Sequence, residues 1–442
     1  MLKFIKRKYK NLVSDKKFSE ILTGSAWALS ARVLATGLGL VTSIIVVRFY
    51  GAEVMGILAV INSFLMLATI FTVLGTKTSI LRLIPEHLIK FSPTSAFKIF
   101  RKIQYLVIGA SLIAGTLLFF GAELIAGKVF SKPQLSFYFA MAAVFIIFKS
   151  LMLLNTQALR GLKLIRVFAF MLVLPRAFNL ILLILLGFLL STKNVPFYAL
   201  LGSFCLTGIL GWGLTEQAFK NRMEPKDIVQ PMAAGKIFSI SLPMLMSSSM
   251  AFVIGQAGVI MLGMFRSEAE VGYYAIAVRL ASFTTFILQS INSIAAPKFS
   301  ELFYSGNIEE LFYVAKKSTK LIFWTTMPIF IGFVIFGKSL LRILFGHEFA
   351  VAYIALVLLL LGKFVNSISG STGLFMNMTG NQNVFRNILF IVALSNIGLN
   401  ALLIPRLGIN GAALTAMASL IFLNISTLVY MKAKFGKTTS CL

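Results

Sequence analysis

Long apolar runs separated by short polar connectors dominate this chain. Runs close to the ~20 residues that an α-helix needs to cross the hydrocarbon core recur along its whole length. We predict twelve spans, at about 21–47, 57–75, 103–127, 134–158, 164–190, 195–219, 237–263, 273–296, 320–337, 352–376, 387–404 and 411–431. The pattern therefore predicts an all-α polytopic membrane protein with about 12 transmembrane helices.

Composition supports this class and changes the meaning of the charge. Of the 442 residues, 58% are hydrophobic and 12% are charged, whereas soluble domains are about 45–50% apolar. The formal net charge is +27, which in a soluble protein would suggest nucleic acid. Here the basic residues fall in short connectors between apolar runs. Anionic membrane lipids are therefore the expected partners, and no nucleic acid is expected.

The basic residues also predict orientation. Counted over alternate connectors, one side carries 28 Lys and Arg and the other carries 8. The side richer in Lys and Arg is normally cytoplasmic, which predicts cytoplasmic N- and C-termini. The opening MLKFIKRKYK is basic but is not followed by a short apolar segment and a cleavage site, so we interpret it as a cytoplasmic lead-in.

The stretch GFVIFGKS at 332–339 fits the phosphate-binding loop pattern G-x-x-x-x-G-K-[ST]. A phosphate-binding loop needs a preceding β-strand, but this stretch ends the ninth predicted span. Its variable positions are Phe, Val, Ile and Phe, and the orientation places Lys338 on the outer side, away from ATP. We interpret the match as coincidence.

The spans divide six and six, and the halves resemble each other. RFYGAEVMGILAV (48–60) and MFRSEAEVGYYAI (264–276) align without gaps and match Gly56 to Gly272. Repeats in the same orientation indicate two lobes related by an axis along the membrane normal, with a site between them. We predict lobes at 1–219 and 237–442, joined by a cytoplasmic linker at 220–236.

Five cationic residues lie within predicted spans: Arg32, Lys149, Arg176, Arg279 and Lys363. Each would cost about 2.5–3.5 kcal/mol at the centre of a membrane helix. Most should therefore face a cavity or a partner. The polar residues at helical spacing from these cations, which we predict to line the same cavity, are Ser25, Thr36, Gln289 and Asn366.

Carboxylates to match these cations are scarce, because only Glu123 and Glu216 lie within spans, each near an end. The cations therefore require an anion from outside the chain, and a phosphate-bearing substrate suits the forked guanidinium. The alternative is snorkelling to headgroups, which fits Lys149 and Lys363 better than the two arginines on polar stripes, Arg32 and Arg279.

Other chemistry is not indicated. His87 and His347 lie on opposite predicted sides, so they cannot share a metal site. No hydrolase or zinc-protease motif occurs. We expect no enzyme activity, no catalytic residues, no metal and no cofactor.

Two stretches carry a family resemblance. They are SARVLATGLGLVTSIIVVRFYGAEVMGILAVINSFLMLATIFTVLGTKTSILRLIPE (30–86) and NIGLNALLIPRLGINGAALTAMAS (396–419). The first is similar to the opening, and the second to the closing signature, of the Wzx-type polysaccharide-biosynthesis flippases. These belong to the multidrug/oligosaccharidyl-lipid/polysaccharide exporter superfamily.

This resemblance implies two six-helix lobes around a central cavity, as in MATE-type transporters. It implies alternating-access transport of an undecaprenyl-diphosphate-linked oligosaccharide from the cytoplasmic to the outer leaflet of the bacterial inner membrane. Positive residues in the cavity, on the first helix of a half and nearby, are associated with binding of a diphosphate or an acidic sugar in the family. Arg32 fits that position, with Arg279 as the second candidate. A polysaccharide polymerase or glycosyltransferases are the implied further partners.

Three alternatives remain open. A cation-coupled multidrug exporter of the same superfamily would need a mid-span Asp or Glu, which this chain lacks. Lipid II flippases of the superfamily usually carry two extra helices, for which this chain has no room. A membrane scaffold for glycosyltransferases would not explain arginines in the middle of spans.

Overall fold

Helices joined by short turns make up nearly all of the described structure, a computed structural model that describes residues 16–223 and 232–440. No strand occurs in these two ranges. The helices of seven or more residues are α1 (Lys16–Thr72), α2 (Thr76–Lys90), α3 (Pro93–Phe120), α4 (Ser136–Gly161), α5 (Ile165–Leu189), α6 (Val195–Lys220), α7 (Ala234–Phe265), α8 (Glu268–Ala281), α9 (Thr285–Tyr304), α10 (Ile308–Phe345), α11 (Tyr353–Ser369), α12 (Thr372–Met378), α13 (Gln382–Leu407) and α14 (Ile409–Phe435).

Within the described ranges, eleven helical segments are long and apolar enough to cross a membrane. The first of them, Leu29–Thr72, contains two of the predicted spans without an intervening loop. They are joined at Gly51, whose backbone has φ 88° and ψ 173° and which bends α1 there. The prediction of an all-α polytopic membrane protein is confirmed.

The described chain divides into two compact units, each with segments from several parts of the sequence. The first contains the described residues up to Thr42 together with Thr72–Gly115 and Phe145–Met244. The second contains Ser43–Phe71, Thr116–Val144 and the described residues from Leu245 onward.

The core of the first unit joins α2, α3, α4 and α6. Ile80 on α2, Phe100 on α3 and Leu154 on α4 are fully or almost fully buried in one apolar cluster. Phe219 on α6 completes it, and its ring stacks on Phe100 with 5.2 Å between centroids. The cluster holds α4, which carries two of the cationic residues described below.

The core of the second unit is built around aromatic rings. Phe299 on α9, Phe312 on α10 and Phe375 on α12 are buried together with Met431 on α14. The Phe312 and Phe375 rings lie 5.1 Å apart, a spacing typical of favourable aromatic pairs. Four helices of this unit are thereby packed against one another.

The closing signature identified in the sequence forms the α13–α14 hairpin of the second unit. A β-carbon at Gly411 would overlap the Leu403 carbonyl, so only glycine allows the two helices to approach this closely. Further along, the Asn396 side chain donates to Ser419 Oγ (2.8 Å) and accepts from Asn400 Nδ2 (2.9 Å). The asparagine and glycine positions of the signature thus serve helix packing.

The predicted lobe boundary coincides with a gap between helices. The helix α6 ends at Lys220 and α7 begins at Ala234. Residues 224–231 of the predicted linker lie outside the described residues, as do the basic N-terminal residues 1–15. The lobe limits 1–219 and 237–442 stay a prediction.

Two predicted spans differ from continuous helices. The eighth is interrupted by a 3-10 turn at Ser282–Thr284 between α8 and α9. The tenth ends at Ser369, where Gly370 has φ 78° and α12 follows in a new direction. Helical spacing counted through either break, as from Arg279 to Gln289, does not describe one helix face.

The GFVIFGKS stretch lies entirely within α10. Its residues have helical backbone, with no loop to surround a phosphate and no strand before it. The interpretation of this match as coincidence is confirmed.

Candidate anion-binding site

Two arginines of the first unit form one cationic pair. Arg32 on α1 is half-buried, and Arg160 at the end of α4 lies close enough for the two positive charges to repel each other. The guanidinium of Arg160 stacks over the Phe168 ring at 5.5 Å, which fixes its position beside α1. Like charges held together in this way favour an anion between them.

A second pair consists of Lys149 on α4 and Arg176 on α5, whose charges also repel. Lys149 is 5% exposed, and its ammonium lies 4.8 Å from the centre of the Phe204 ring on α6. The close approach of α6 explains this burial, because a β-carbon at Gly208 would come within 2.8 Å of the Phe148 carbonyl oxygen. The Arg176 side chain is exposed, so it is the member of the pair that a ligand can reach.

The two pairs lie along one face of α1. Arg176 packs beside Gly39, with its Cδ 3.8 Å from the position of a β-carbon there. Gly39 follows Arg32 by seven residues, which is about two helical turns and roughly 10 Å along the axis. We call Arg32, Lys149, Arg160 and Arg176 the first-unit cationic cluster.

Carboxylates are scarce in the membrane-spanning segments of the first unit. In the segments of the spans that belong to the first unit, Glu216 is the only acidic residue in the sequence. Its carboxylate is bound by the Arg101 guanidinium, with 2.5 Å between Nη2 and Oε2. Arg101 also donates to Gln104 and stacks over Trp212. This carboxylate therefore serves the contact of α3 with α6.

The polar residues predicted to line the site on α1 are only partly described. Thr36 is half-buried, and its hydroxyl donates to the Arg32 carbonyl oxygen at 2.9 Å, so its donor is already used within the helix. Ser25 lies on the described helix, but its side chain is outside the described part. Their role as cavity lining stays a prediction.

The remaining predicted residues lie in the second unit. Arg279 is half-buried in the last turn of α8, directly before the Ser282–Thr284 turn, and Gln289 is exposed on α9. Lys363 and Asn366 are half-buried on α11. The structure thus groups three of the five predicted cations in one unit and two in the other, and the assignment of Arg279 and Lys363 to the site stays a prediction.

Arg160 was missed by the sequence reasoning because it was counted among the connector charges. A signal was nevertheless present. Lys149, Thr156 and Arg160 are spaced by seven and four residues, which places them on one face of α4. Extending the polar stripe of this span to the helix end would have included Arg160.

Metal ligands do not assemble in the described part of the chain. No group of three or more His, Cys, Asp or Glu side chains lies close enough there to hold an ion. His87 is buried on α2 with its Nδ1 2.9 Å from the Leu83 carbonyl oxygen. The arrangement in the first unit is therefore suited to binding an anion rather than a cation.

Comparison with known proteins identifies the family. The profile of the family described as "Polysaccharide biosynthesis protein" matches residues 45–354. The chain belongs to the polysaccharide biosynthesis protein family. This match confirms the resemblance found in the sequence. The matched residues run from within α1 to the start of α11.

Two archaeal proteins are similar to part of this family member. The "Probable low-salt glycan biosynthesis flippase Agl15" of Haloferax volcanii is 25% identical over 244 residues, which is 53% of this chain and 49% of the relative. The "Uncharacterized membrane protein MJ1068" of Methanocaldococcus jannaschii is 25% identical over 210 residues, 47% of this chain and 41% of the relative. The match spans about half the length or less of these relatives.

Solved structures share the fold of this family member. A lipid II flippase MurJ in an inward closed conformation has a TM-score of 0.72 at 16% identity, covering 91% of this chain and 86% of that one. An inward-facing multidrug resistance MATE family transporter of the MOP superfamily has a TM-score of 0.70 at 14% identity, covering 93% and 98%. The fold is that of MOP superfamily transporters.

Proposed function

We propose that this protein is a flippase for cell-surface polysaccharide synthesis. It moves a polyprenyl-diphosphate-linked oligosaccharide from the cytoplasmic to the outer leaflet of the cell membrane, with both termini in the cytoplasm. The observation that carries the proposal is the first-unit cationic cluster. It lies in spans whose one carboxylate is already bound to Arg101.

A diphosphate is the ligand that suits this cluster. It carries several negative charges on oxygens that accept paired hydrogen bonds from a guanidinium. In a membrane interior such an anion would compensate cations that are otherwise costly to hold there. The oligosaccharide would remain in water, and the prenyl chain in lipid.

The two cationic pairs suggest different roles. Arg32 lies nearer to the predicted cytoplasmic end of α1, and Arg176 lies beside Gly39, about two turns further into the span. We assign Arg32 with Arg160 to capture of the diphosphate from the cytoplasmic leaflet, and Arg176 to its passage. Lys149 is buried against Phe204, so it would act through its field.

The second unit would contribute Arg279 and Lys363 to the transport path, with Gln289 and Asn366 as polar lining. Alternating access would expose the diphosphate first to one side of the membrane and then to the other. Membrane lipids, a polysaccharide polymerase and glycosyltransferases are the partners that such a carrier requires.

The proposal is tested with Arg32→Ala and Arg176→Ala in purified protein reconstituted into liposomes with a polyprenyl-diphosphate-linked oligosaccharide. Loss of a hydrogen bond to a charged group costs about 1.5–3 kcal/mol, so each variant should flip about 10- to 100-fold more slowly. Arg82→Ala is the control, because it removes an exposed cation paired with Glu86, and it should flip at the wild-type rate. Wild-type rates in both test variants would refute the anion site.

A second experiment deletes the gene in its native host. Complete lipid-linked oligosaccharide should accumulate on the cytoplasmic leaflet, and surface glycan should be lost. Unchanged glycan and unchanged lipid intermediates, together with increased sensitivity to cationic drugs, would instead support a multidrug exporter.

A further inference from the structure

Two glycines of the second unit make a reciprocal contact between α1 and α8. A β-carbon at Gly56 would overlap the Glu268 carbonyl oxygen, and a β-carbon at Gly272 would overlap the Ala52 carbonyl oxygen. Gly272 follows Gly56 by 216 positions, and Glu268 follows Ala52 by the same 216 positions. Each glycine therefore packs against a carbonyl group of the other half. The residue that carries this carbonyl is equivalent to the residue one helical turn before the glycine in its own half.

This reciprocity is the geometry of a two-fold axis, in which residue i of one copy meets j of the other and j meets i. It agrees with the gapless alignment of 48–60 with 264–276. We call these four residues, Ala52, Gly56, Glu268 and Gly272, the outer contact, because they lie on the side with fewer basic connectors. Helix backbones can meet this closely only where both positions lack a side chain.

Beside the glycines, a lysine side chain stabilises the outer contact through a hydrogen bond and an ion pair. Lys132, in the segment between α3 and α4, donates from Nζ to the Arg266 carbonyl oxygen, and its Nζ lies 3.5 Å from Glu268 Oε1. Gln134 donates to the same carboxylate at 3.2 Å. Glu268 therefore contributes to the outer contact in two ways. Its backbone carbonyl packs against Gly56, and its side chain pairs with Lys132.

In the second half of the chain, further hydrogen bonds hold the outer contact in place. The Arg266 guanidinium donates to the carbonyl oxygens of Ile404 (3.3 Å) and Pro405 (2.8 Å) in the last turn of α13. Below the glycines, Gly263 on α7 continues the close packing, because a β-carbon there would come within 2.8 Å of Val60 and 3.2 Å of Phe130.

The forces that hold the outer contact are individually weak. Small-residue helix contacts in a membrane rely on van der Waals packing without a hydrophobic driving force. The Lys132 and Glu268 side chains are 14% and 20% exposed, so the attraction between them is largely offset by the cost of removing both charges from water. Such a contact can separate and re-form, yet it forms fully only when both glycines are present.

We propose that the outer contact is a reversible closure of the outer side, formed by Gly56 and Gly272 and fastened by Lys132. The proposal deepens the transport function proposed above and rests on it, since a closure that opens is useful only to a protein that changes conformation during transport. A side chain at either glycine would bias the protein toward the open state.

The test measures the exposure of a buried thiol. Val60 is 1% exposed and lies one turn below Gly56. In a chain with Cys205→Ala and Cys441→Ser, the variant Val60→Cys is reacted in intact cells with a membrane-impermeant maleimide. The thiol should react slowly, and Gly56→Ala or Gly272→Ala should each speed the reaction about 10-fold.

Matched controls separate closure from folding. Gly255→Ala makes the same change on α7, where nothing lies within 4 Å of the new β-carbon, and it should leave the rate unchanged. Lys132→Glu should speed the reaction about 10-fold or more without adding bulk to the glycine contact, because it places a second carboxylate beside Glu268, and Lys132→Glu with Glu268→Lys should bring the rate back toward that of the parent.

Rates for Gly56→Ala and Gly272→Ala equal to that of Gly255→Ala would overturn the proposal, as would failure of the charge swap to slow the reaction. Thiol exposure does not depend on the substrate. If exposure follows the expectation while Arg32→Ala and Arg176→Ala flip normally, the outer closure stands and the proposed anion site fails.

Discussion

At the scale of single residues, Gly51 joins two membrane spans without a loop. Its φ of 88° with ψ of 173° lies in a region that is essentially restricted to glycine. The surroundings are open, because nothing lies within 4 Å of a β-carbon placed there. The requirement for glycine is therefore one of backbone conformation alone.

We predict that Gly51→Ala destabilises the folded protein by about 1–3 kcal/mol, the usual cost of such backbone strain. Gly37→Ala is the matched control on the same helix, where the site is equally open but φ is negative. Alanine should be neutral or slightly stabilising there. Thermal unfolding of both variants in detergent measures the difference, and equal melting temperatures would contradict the argument.

Arg160 and Arg166 offer a comparison within the first unit. Both guanidinium groups stack on a ring, Arg160 over Phe168 at 5.5 Å and Arg166 over Trp27 at 5.9 Å. Only Arg160 belongs to the cationic cluster. Arg160→Gln should therefore slow flipping by about 10-fold or more, and Arg166→Gln should slow it much less. Equal effects would mean that stacking, rather than charge beside Arg32, is what matters.

The intramembrane cations could be found from the sequence because hydropathy makes each of them an exception within an apolar run. Arg160 could not be found in this way because it lies at a helix end, where basic residues are common. The burial of Lys149 against Phe204 could not be predicted either. It depends on how closely α6 approaches α4 at Gly208, and one sequence does not give that distance.

At the scale of helices, one ion pair joins α3 to α6 in addition to their apolar contact. The Arg101 and Glu216 side chains are 22% and 20% exposed, and Phe97 and Trp212 lie beside the guanidinium. Removing one partner of a largely buried pair leaves the other charge without compensation.

We predict that Glu216→Gln destabilises the protein by about 1–3 kcal/mol, whereas the double variant Arg101→Met, Glu216→Leu recovers much of this loss. The double-mutant cycle is measured by unfolding in detergent. Lys90→Met is the control, because Lys90 pairs with Glu86 in an exposed ion pair on α2, and it should have little effect. Strictly additive losses at positions 101 and 216 would contradict the coupling.

Helix positions followed from the apolar runs, but helix interruptions did not. The break at Ser282–Thr284 contains neither proline nor glycine. Instead the hydroxyls of Ser282, Thr284 and Thr285 donate to the carbonyls of Val278, Ala281 and Ser282. Such bonds compete with the helix ladder. A cluster of Ser and Thr was the available signal, and it is much weaker than a proline.

At the scale of the whole molecule, the sequence match to a phosphate-binding loop does not form such a loop. The single stretch that fits a phosphate-binding loop is part of α10, and Lys338 is exposed on that helix. The helical backbone of this stretch leaves no loop that could hold a nucleotide phosphate there.

We predict that Lys338→Ala flips substrate at the wild-type rate, and that liposomes without nucleotide support the same rate as liposomes with ATP. Both measurements use the reconstituted assay described for Arg32→Ala, and that variant serves as the slow reference. A requirement for ATP in the purified protein, or a loss with Lys338→Ala, would contradict this prediction.

The all-α membrane class could be predicted from the sequence because the length needed to cross a membrane restricts the possible folds strongly. The closing signature identified the family, and its asparagines and glycines serve the α13–α14 hairpin. The segments that make up each compact unit could not be predicted. Each unit contains segments from distant parts of the chain, and this grouping depends on tertiary packing.

The reciprocal glycine contact also has a consequence for how such a chain could have arisen. In an ancestor made of two identical half-length subunits, the same glycine position would have formed both contacts across the dimer axis. Any substitution there would have altered both contacts at once. Fusion of two such copies into one chain would release that constraint. Ala52 and Glu268 occupy matching places, yet only Glu268 carries a carboxylate for Lys132 to bind, so the fused gene could fasten one side of the contact independently of the other.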